Sequence, residues 1–268
     1  MFRFRAFSVV VAVLCLGLPG AAVAKGKPGG GRQASGYDIS YPQCGGAFPG
    51  NVLFGIVGVN DGIVYSANPC LGSGNGASEL AWAEQYEPAA VLYANTGDPG
   101  PTLSSHWPNG QTAPMVCDPA NNDSADCAYD YGWNAAADSY RDAVNAYISL
   151  GRLQAGATQT PRPNEWWLDV ETANSWQADT GHNIAALQGA VGYLKTQGVA
   201  SVGFYANGSD WQTITGGTTT FSAYPSWRAG AGSQTSAQAY CGTSGFTGGP
   251  IKYSQYALAG YDADVRCF

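Results

Sequence analysis

At 268 residues, with 45% hydrophobic and only 12% charged side chains, the chain suits one large α/β or all-β domain with an ample core. Nineteen Asp plus Glu against twelve Lys plus Arg give a formal charge of −7, and so acidic a balance excludes nucleic acid as the natural partner. Two histidines, His106 and His182, are too few for a His-rich zinc site, no Gly-x-Ser-x-Gly elbow supports a serine nucleophile, and no metal or cofactor is called for.

Arg3 and Arg5 precede an apolar run over residues 7–18, followed by Pro19-Gly20 and Ala22-Val23-Ala24. That order of charge, apolar run and small residues predicts a secretory signal peptide over residues 1–24, cleaved near Ala24. About a dozen apolar residues are too few to span a bilayer, so no stable membrane insertion is expected after cleavage. Loss of the segment moves the formal charge from −7 to −9, and residues 25–35, rich in Gly and basic side chains, read as a flexible leader to a domain over 36–268. Location outside the cell or on its wall follows. Apart from Cys15, the six cysteines Cys44, Cys70, Cys117, Cys127, Cys241 and Cys267 are an even set in an exported chain, which implies disulfides. Sequence order suggests Cys44 with Cys70, Cys117 with Cys127 and Cys241 with Cys267, among fifteen possible connectivities. All six fall in loop-like or terminal stretches.

Gly36-Tyr37-Asp38-Ile39-Ser40 opens the folded part as a short strand with Asp38 and Ser40 on one face. Residues 53–59 are nearly all apolar, as in a strand buried on both faces of a parallel sheet. They run into Asn60-Asp61-Gly62, where Asp61 either stands at the strand end or forms an Asx turn. Residues 77–87 predict a helix capped by Ser78 and stopped by Pro88, and residues 89–95 a third buried strand carrying Tyr93. The next 35 residues, 96–130, are rich in Pro, Gly, Asn and Asp and contain Cys117 and Cys127. So long a connection is functional or a subdomain, and it reads as a solvated, disulfide-tied loop. Its Asp118, Asn121, Asp123 and Asp126 lack the spacing of a calcium loop. Trp133, Ala136, Ala137, Tyr140, Val144, Tyr147 and Ile148 then recur at helical spacing up to Gly151, an apolar stripe for core packing.

After Pro161-Arg162-Pro163-Asn164 comes Trp166-Trp167-Leu168-Asp169-Val170-Glu171, aromatic and β-branched enough to be a strand. Alternation puts Trp167, Asp169 and Glu171 on one face and Trp166, Leu168 and Val170 on the other, where Leu168 and Val170 call for burial. Acids two residues apart along a strand, about 6.5–7 Å between Cα atoms, penalise each other's ionisation, so one pKa climbs. A proton donor beside an anion is the equipment of glycosidic bond cleavage. The plainer reading is a strand-end pair neutralised by Arg162 and Arg228. Further on, Ile184, Leu187, Val191 and Leu194 mark a helix closed by Gly198, residues 200–206 a strand carrying Tyr205, and residues 207–214 a short helix. Residues 224–229 and 251–257 are strand-like with no long helix between them. Helical patterns alternating with buried strands predict an α/β fold, an irregular (β/α) TIM-like barrel. In such barrels catalytic groups stand at the C-terminal strand ends, where Asp38, Asp61, Asp169, Glu171 and Tyr205 all fall.

Five short pieces carry a resemblance: Tyr37-Asp38-Ile39-Ser40, Leu168-Asp169-Val170-Glu171, Gly203-Phe204-Tyr205, Ser226-Trp227-Arg228-Ala229, and Ser254-Gln255-Tyr256 with Tyr261-Asp262-Ala263-Asp264-Val265. In order and spacing the chain resembles the family-25 glycoside hydrolases, the muramidase-type lysozymes, and their glycoside-hydrolase-like wall-associated relatives. The resemblance implies an eight-stranded barrel and cleavage of the β-1,4 bond between N-acetylmuramic acid and N-acetylglucosamine in peptidoglycan. It implies Glu171 as general acid, Asp169 as stabiliser of the cationic transition state or orienter of the substrate amide, and Asp38, with Asp262 after the last strand, completing the acidic cluster. Tyr93, Tyr205 and Trp227 would line the groove, with Asp61, Trp167 and Gln255 as further substrate contacts. The chain departs from the family in Asn60-Asp61-Gly62, where a Glu-Gly is usual, in Tyr93-Ala94-Asn95, which lacks the usual His, and in the 96–130 excursion. Two functions follow: a secreted hydrolase of peptidoglycan-like polysaccharide, or a barrel that binds glycan and organises the envelope without cutting it.

Overall fold

The computed structural model describes residues 36–267, so the signal peptide and leader lie outside the described residues. Eight strands close a barrel in chain order: β1 (Gly36–Ile39), β2 (Phe54–Gly58), β3 (Val91–Asn95), β4 (Glu165–Asp169), β5 (Ser201–Ala206), β6 (Ser226–Ala231), β7 (Ile251–Leu258) and β8 (Tyr261–Arg266). Each of β1 to β6 runs parallel to the next, and β8 runs antiparallel to both β7 and β1. The outer layer holds α1 (Glu79–Ala83), α2 (Ala125–Ser149), α3 (Thr180–Thr196), α4 (Gly208–Thr215) and α5 (Gln234–Tyr240). This is the irregular TIM-like barrel expected, with the long connection after the third strand. No helix among the described residues is long and apolar enough to cross a membrane.

Strand alternation sorts the core into two shells. Leu92, Trp166, Leu168, Val170, Val202 and Phe204 face outward and pack against Tyr140, Val144, Leu187 and Val191 of α2 and α3. Phe54, Ile56, Val91, Trp167, Trp227 and Tyr253 face inward and plug the barrel. Burial of each such large side chain contributes roughly 2–3 kcal/mol, so the barrel is a filled core and only its rim is free for chemistry. The two long helices approach backbone to backbone. A methyl group at Gly132 would stand 1.8 Å from the Ala186 carbonyl oxygen, and one at Gly189 would stand 1.9 Å from that of Tyr129.

Three elements differ from the sequence reading. Helix α2 begins at Ala125, capped by the Ser124 hydroxyl, which accepts from the Cys127 amide; the excursion is therefore residues 96–124 and Cys127 sits in a helical first turn, not a loop. Helix α1 has five residues rather than eleven, because Ser78 caps it but the chain turns away after Ala83. Strand β8 has no counterpart in the sequence reading, and Asp262 lies within it rather than after the last strand. The three disulfides join Cys44 to Cys70, Cys117 to Cys127 and Cys241 to Cys267, in sequence order. The second ties the excursion to the start of α2.

Candidate active site

The C-terminal ends of the parallel strands converge on a cavity of about 200 Å3 lined by Asp38, Ser40, Tyr93, Asp169, Glu171, Tyr205, Trp227, Gln255 and Asp262. Three routes bring the acids there. Asp38 is near the end of β1, Asp169 ends β4 with Glu171 two residues beyond, and Asp262 enters at the start of β8. Because β8 is reversed, its beginning rather than its end reaches the rim, and Asp262 stands directly across from Asp38. Trp227 forms the floor, ringed by Tyr93 at 5.8 Å and Tyr205 at 4.6 Å between ring centroids.

Hydrogen bonds fix these groups one by one. Asn95 Nδ2 donates to Asp169 Oδ2 at 2.8 Å, while Asp169 Oδ1 is buried with no donor. Gln255 donates to Asp38 Oδ2 at 3.0 Å and accepts from the Tyr205 hydroxyl at 2.8 Å, so one amide orients both. Below the rim, Trp227 Nε1 donates to Asp264 Oδ1 at 2.7 Å. The other Asp264 oxygen is buried with no donor, and the Asp264 and Asp38 carboxyls lie close enough to act on each other directly, which favours one proton shared between the two acids.

Electrostatics follow from burial. Desolvation, then the charge of Asp262, pushes Asp38 up to about 7. Asp169 is raised well above the carboxylate range by burial and then by Glu171, and Asp264 by burial and then by Asp38. Glu171 is raised by burial, then by Asp210 and Asp262; Asp262 is raised by burial. Among the described residues no ion pair reaches any of these five acids. The plainer reading of a neutralised strand-end pair is therefore not what the fold builds: Arg228 lies over the Tyr240 ring at 4.1 Å, and Arg162 lines a cavity with Glu165 and Lys252 at the opposite end of the barrel.

Two substrate-contact expectations fail. Trp167 shares the inward face with Asp169 but lies one layer deeper, fully buried, its Nε1 donating to Glu165 Oε1 at 2.8 Å, and it does not line the cavity. Asp61 does not line it either. Asn60 takes the strand-end position, accepting from the Asn95 amide at 2.9 Å and bridging Ala67, so the chain has already turned by Asp61. Sequence reasoning misses three residues. Asp264 was legible from its spacing, two residues after Asp262 and thus on the same face; Asn95 was legible as a strand-end residue beside Asp169. Asp210, held by Thr172 at 2.8 Å and Asn207 at 2.7 Å, lies in the first turn of α4 and had no strand signal. Among the described residues no group of three or more His, Cys, Asp or Glu is disposed to hold a metal ion.

Fold and rim together define a TIM-like barrel with an acid-lined mouth. The family model for lysozyme-like protein 1 matches residues 149–240, the segment that contains β4, β5 and β6. Two curated relatives, probable GH family 25 lysozymes 4 and 2 of Dictyostelium discoideum, are each 38% identical over 63 residues, 24% of this chain. The match spans 29% of the length of those relatives. Similar solved structures include a muramidase from Trichobolus zukalii (17% identity, TM-score 0.48, 86% of this chain and 92% of that one). A muramidase from Acremonium alcalophilum (15%, 0.49, 86% and 92%) and a lysozyme from Streptomyces coelicolor (16%, 0.47, 87% and 92%) are also similar. The family-model match over residues 149–240, which hold Asp169 and Glu171, and the two curated relatives bear out the resemblance to the family-25 lysozymes carried by the sequence motifs.

Proposed function

We propose that the protein is a secreted glycoside hydrolase that cuts peptidoglycan-like wall polysaccharide with Glu171 as general acid. The observation that carries this reading is the gathering of Asp38, Asp169, Glu171 and Asp262 from separate parts of the chain into one cavity, with no basic partner among the described residues. Glu171 stands beyond the strand end, and burial, then Asp210 and Asp262, raise its pKa, the direction that suits a leaving-group donor. Asp169, held by Asn95, faces the developing cation or the substrate amide. Asp38 and Asp262 complete the negative field, which favours an oxocarbenium-like transition state over the neutral ground state. Tyr93 and Tyr205 offer ring surface and hydroxyls to a sugar. Three disulfides suit an oxidising, extracytoplasmic setting, in keeping with the signal peptide read from residues 1–24.

The test is release of reducing ends from purified peptidoglycan by the mature protein. Glu171→Gln is expected to lower the rate by roughly 10²–10⁴-fold, the usual worth of a general acid, with an unchanged near-UV circular dichroism spectrum. Wild-type protein that binds peptidoglycan but releases nothing would instead favour the non-cutting envelope role, and undiminished turnover in Glu171→Gln would remove Glu171 from the reaction.

A further inference from the structure

A second hollow of about 310 Å3 opens on the same face of the barrel, built by the loops after β2, β3 and β4. Its walls are Ile63 to Tyr65, Gly97, Pro99 and Leu103 to His106 of the disulfide-tied excursion, Tyr131 of α2, and Ala173 to Ser175. The turn over residues 171–175 divides it from the acidic cavity. Glu171 lies on one side; the carbonyl of that residue accepts from the Asn174 amide at 3.1 Å and from Trp176 Nε1 at 2.8 Å, and Asn174 faces the other hollow. The dividing turn is rigid, because Asp98 takes the Ser175 carbonyl with its amide at 2.9 Å and receives Gln177 Nε2 on both carboxylate oxygens.

The two hollows differ in chemistry. The acidic one carries four carboxyl groups; the second has neither a carboxylate nor a Lys or Arg among its lining residues. It offers stacked rings, Tyr65 on His106 at 4.0 Å with Tyr131 edge-on at 5.7 Å, hydroxyls from Ser104 and Ser105, and the Asn174 amide. At its lip Leu103 is 76% exposed and Ile63 60%, too open to be core. Tyr65 is held at a backbone φ of 63°, the left-handed region that a bulky residue enters only under constraint and that clusters at ligand sites. Aromatic rings, apolar edges and neutral hydrogen-bonding groups are complementary to a pyranose ring.

We infer that this hollow is an outlying sugar subsite, which takes an uncharged pyranose of the same glycan strand whose reacting bond lies over Glu171. The inference rests on the hydrolase reading for the strand's path but not for its test. Binding is measured by titration calorimetry with linear N-acetylglucosamine oligomers of two to eight units, in Glu171→Gln protein so that nothing is cut, with and without Leu103→Asp or His106→Ala. Leu103 and His106 are exposed loop residues, so these variants are expected to fold.

The affinity of Glu171→Gln protein is expected to tighten several-fold at the length that first reaches the hollow, and both variants are expected to lose that gain while keeping the affinity for short oligomers. Variants that match the parent at every length would overturn the subsite while leaving the hydrolase reading intact. A length-dependent gain lost in the variants, in a protein that never cuts peptidoglycan, would support the subsite and overturn only the catalytic reading. A gain that appears only when the strand carries peptide, or no binding at any length, would overturn the sugar assignment.

Discussion

The sharpest structural test is the crossing of α2 and α3, because it reverses the usual sign of a substitution. In an open helix Gly→Ala stabilises by roughly 0.5–1 kcal/mol, since glycine loses more backbone freedom on folding. At Gly189 the new methyl would sit 1.9 Å from the Tyr129 carbonyl oxygen, about 1.5 Å short of ordinary contact. The obstacle is backbone, so no rotamer relieves it, and the hollow beneath the crossing, lined by Gly132, Trp166, Leu168 and Ala186, holds only about 10 Å3. The helices must part, and overpacking of this sort costs typically 1–3 kcal/mol. After the helix gain is subtracted, a net loss of roughly 1–2 kcal/mol remains, or about 3–6 °C in Tm for a domain this size. Thermal unfolding followed by circular dichroism measures it. Gly208→Ala is the control: that glycine opens α4 with nothing within 4 Å of where its methyl would stand, and its Tm is expected to hold or rise. An unchanged or higher Tm for Gly189→Ala would refute the close approach.

Two further predictions concern the acids. Asp38 is pushed up to about 7 from an ordinary 3.8, with Glu79 raised to about 7 and Asp98 to about 6, all by burial first. The unfolded chain ionises near pH 4 while the folded one keeps these protons, so the stability they supply is complete below about pH 4 and is lost as pH rises toward 7. The urea midpoint is therefore expected to fall between pH 4.5 and 7.5, less steeply in Asp38→Asn; a midpoint that rises across this window would contradict the burial. Asp264→Asn keeps an acceptor for Trp227 Nε1 and supplies a permanent donor to Asp38, so it is expected to fold and to lower the pH at which Asp38 ionises. Asp264→Leu, which strands the indole N–H, is expected to lose roughly 1–3 kcal/mol, and equal stability of the two variants in urea titrations would argue against the Trp227–Asp264 bond.

The barrel was largely legible because parallel strands buried on both sides leave near-continuous apolar runs, as at residues 54–58 and 91–95. β8 was not, since Tyr-Asp-Ala-Asp-Val-Arg alternates acids with small residues and reads as a polar tail; only the closed barrel turns those acids inward. The start of α2 was hidden by Asp126, Asp130 and Gly132, which look like loop residues. In the fold Asp130 is buried and accepts from the Met115 amide at 2.9 Å, and Gly132 gives α3 room. Alternation placed Trp167 and Asp169 on the same face correctly, but period two says nothing of depth. One residue reaches the rim and the other plugs the barrel.

The hairpin that delivers Asp262 has a consequence for how such a mouth can be altered. Between Leu258 and Tyr261 only Ala259 and Gly260 intervene, both at positive φ, 54° and 86°, the shape of a tight two-residue turn. Asp38, Asp169 and Glu171 stand at ends that open into longer connections, which tolerate insertion. Asp262 stands next to a turn of minimum length, where one added residue would slip the pairing and turn Asp262 and Asp264 outward together. Change in this corner of the mouth is thus confined to exchange of side chains, and a designer who wished to remodel it would have to transplant residues 251–266 as a unit.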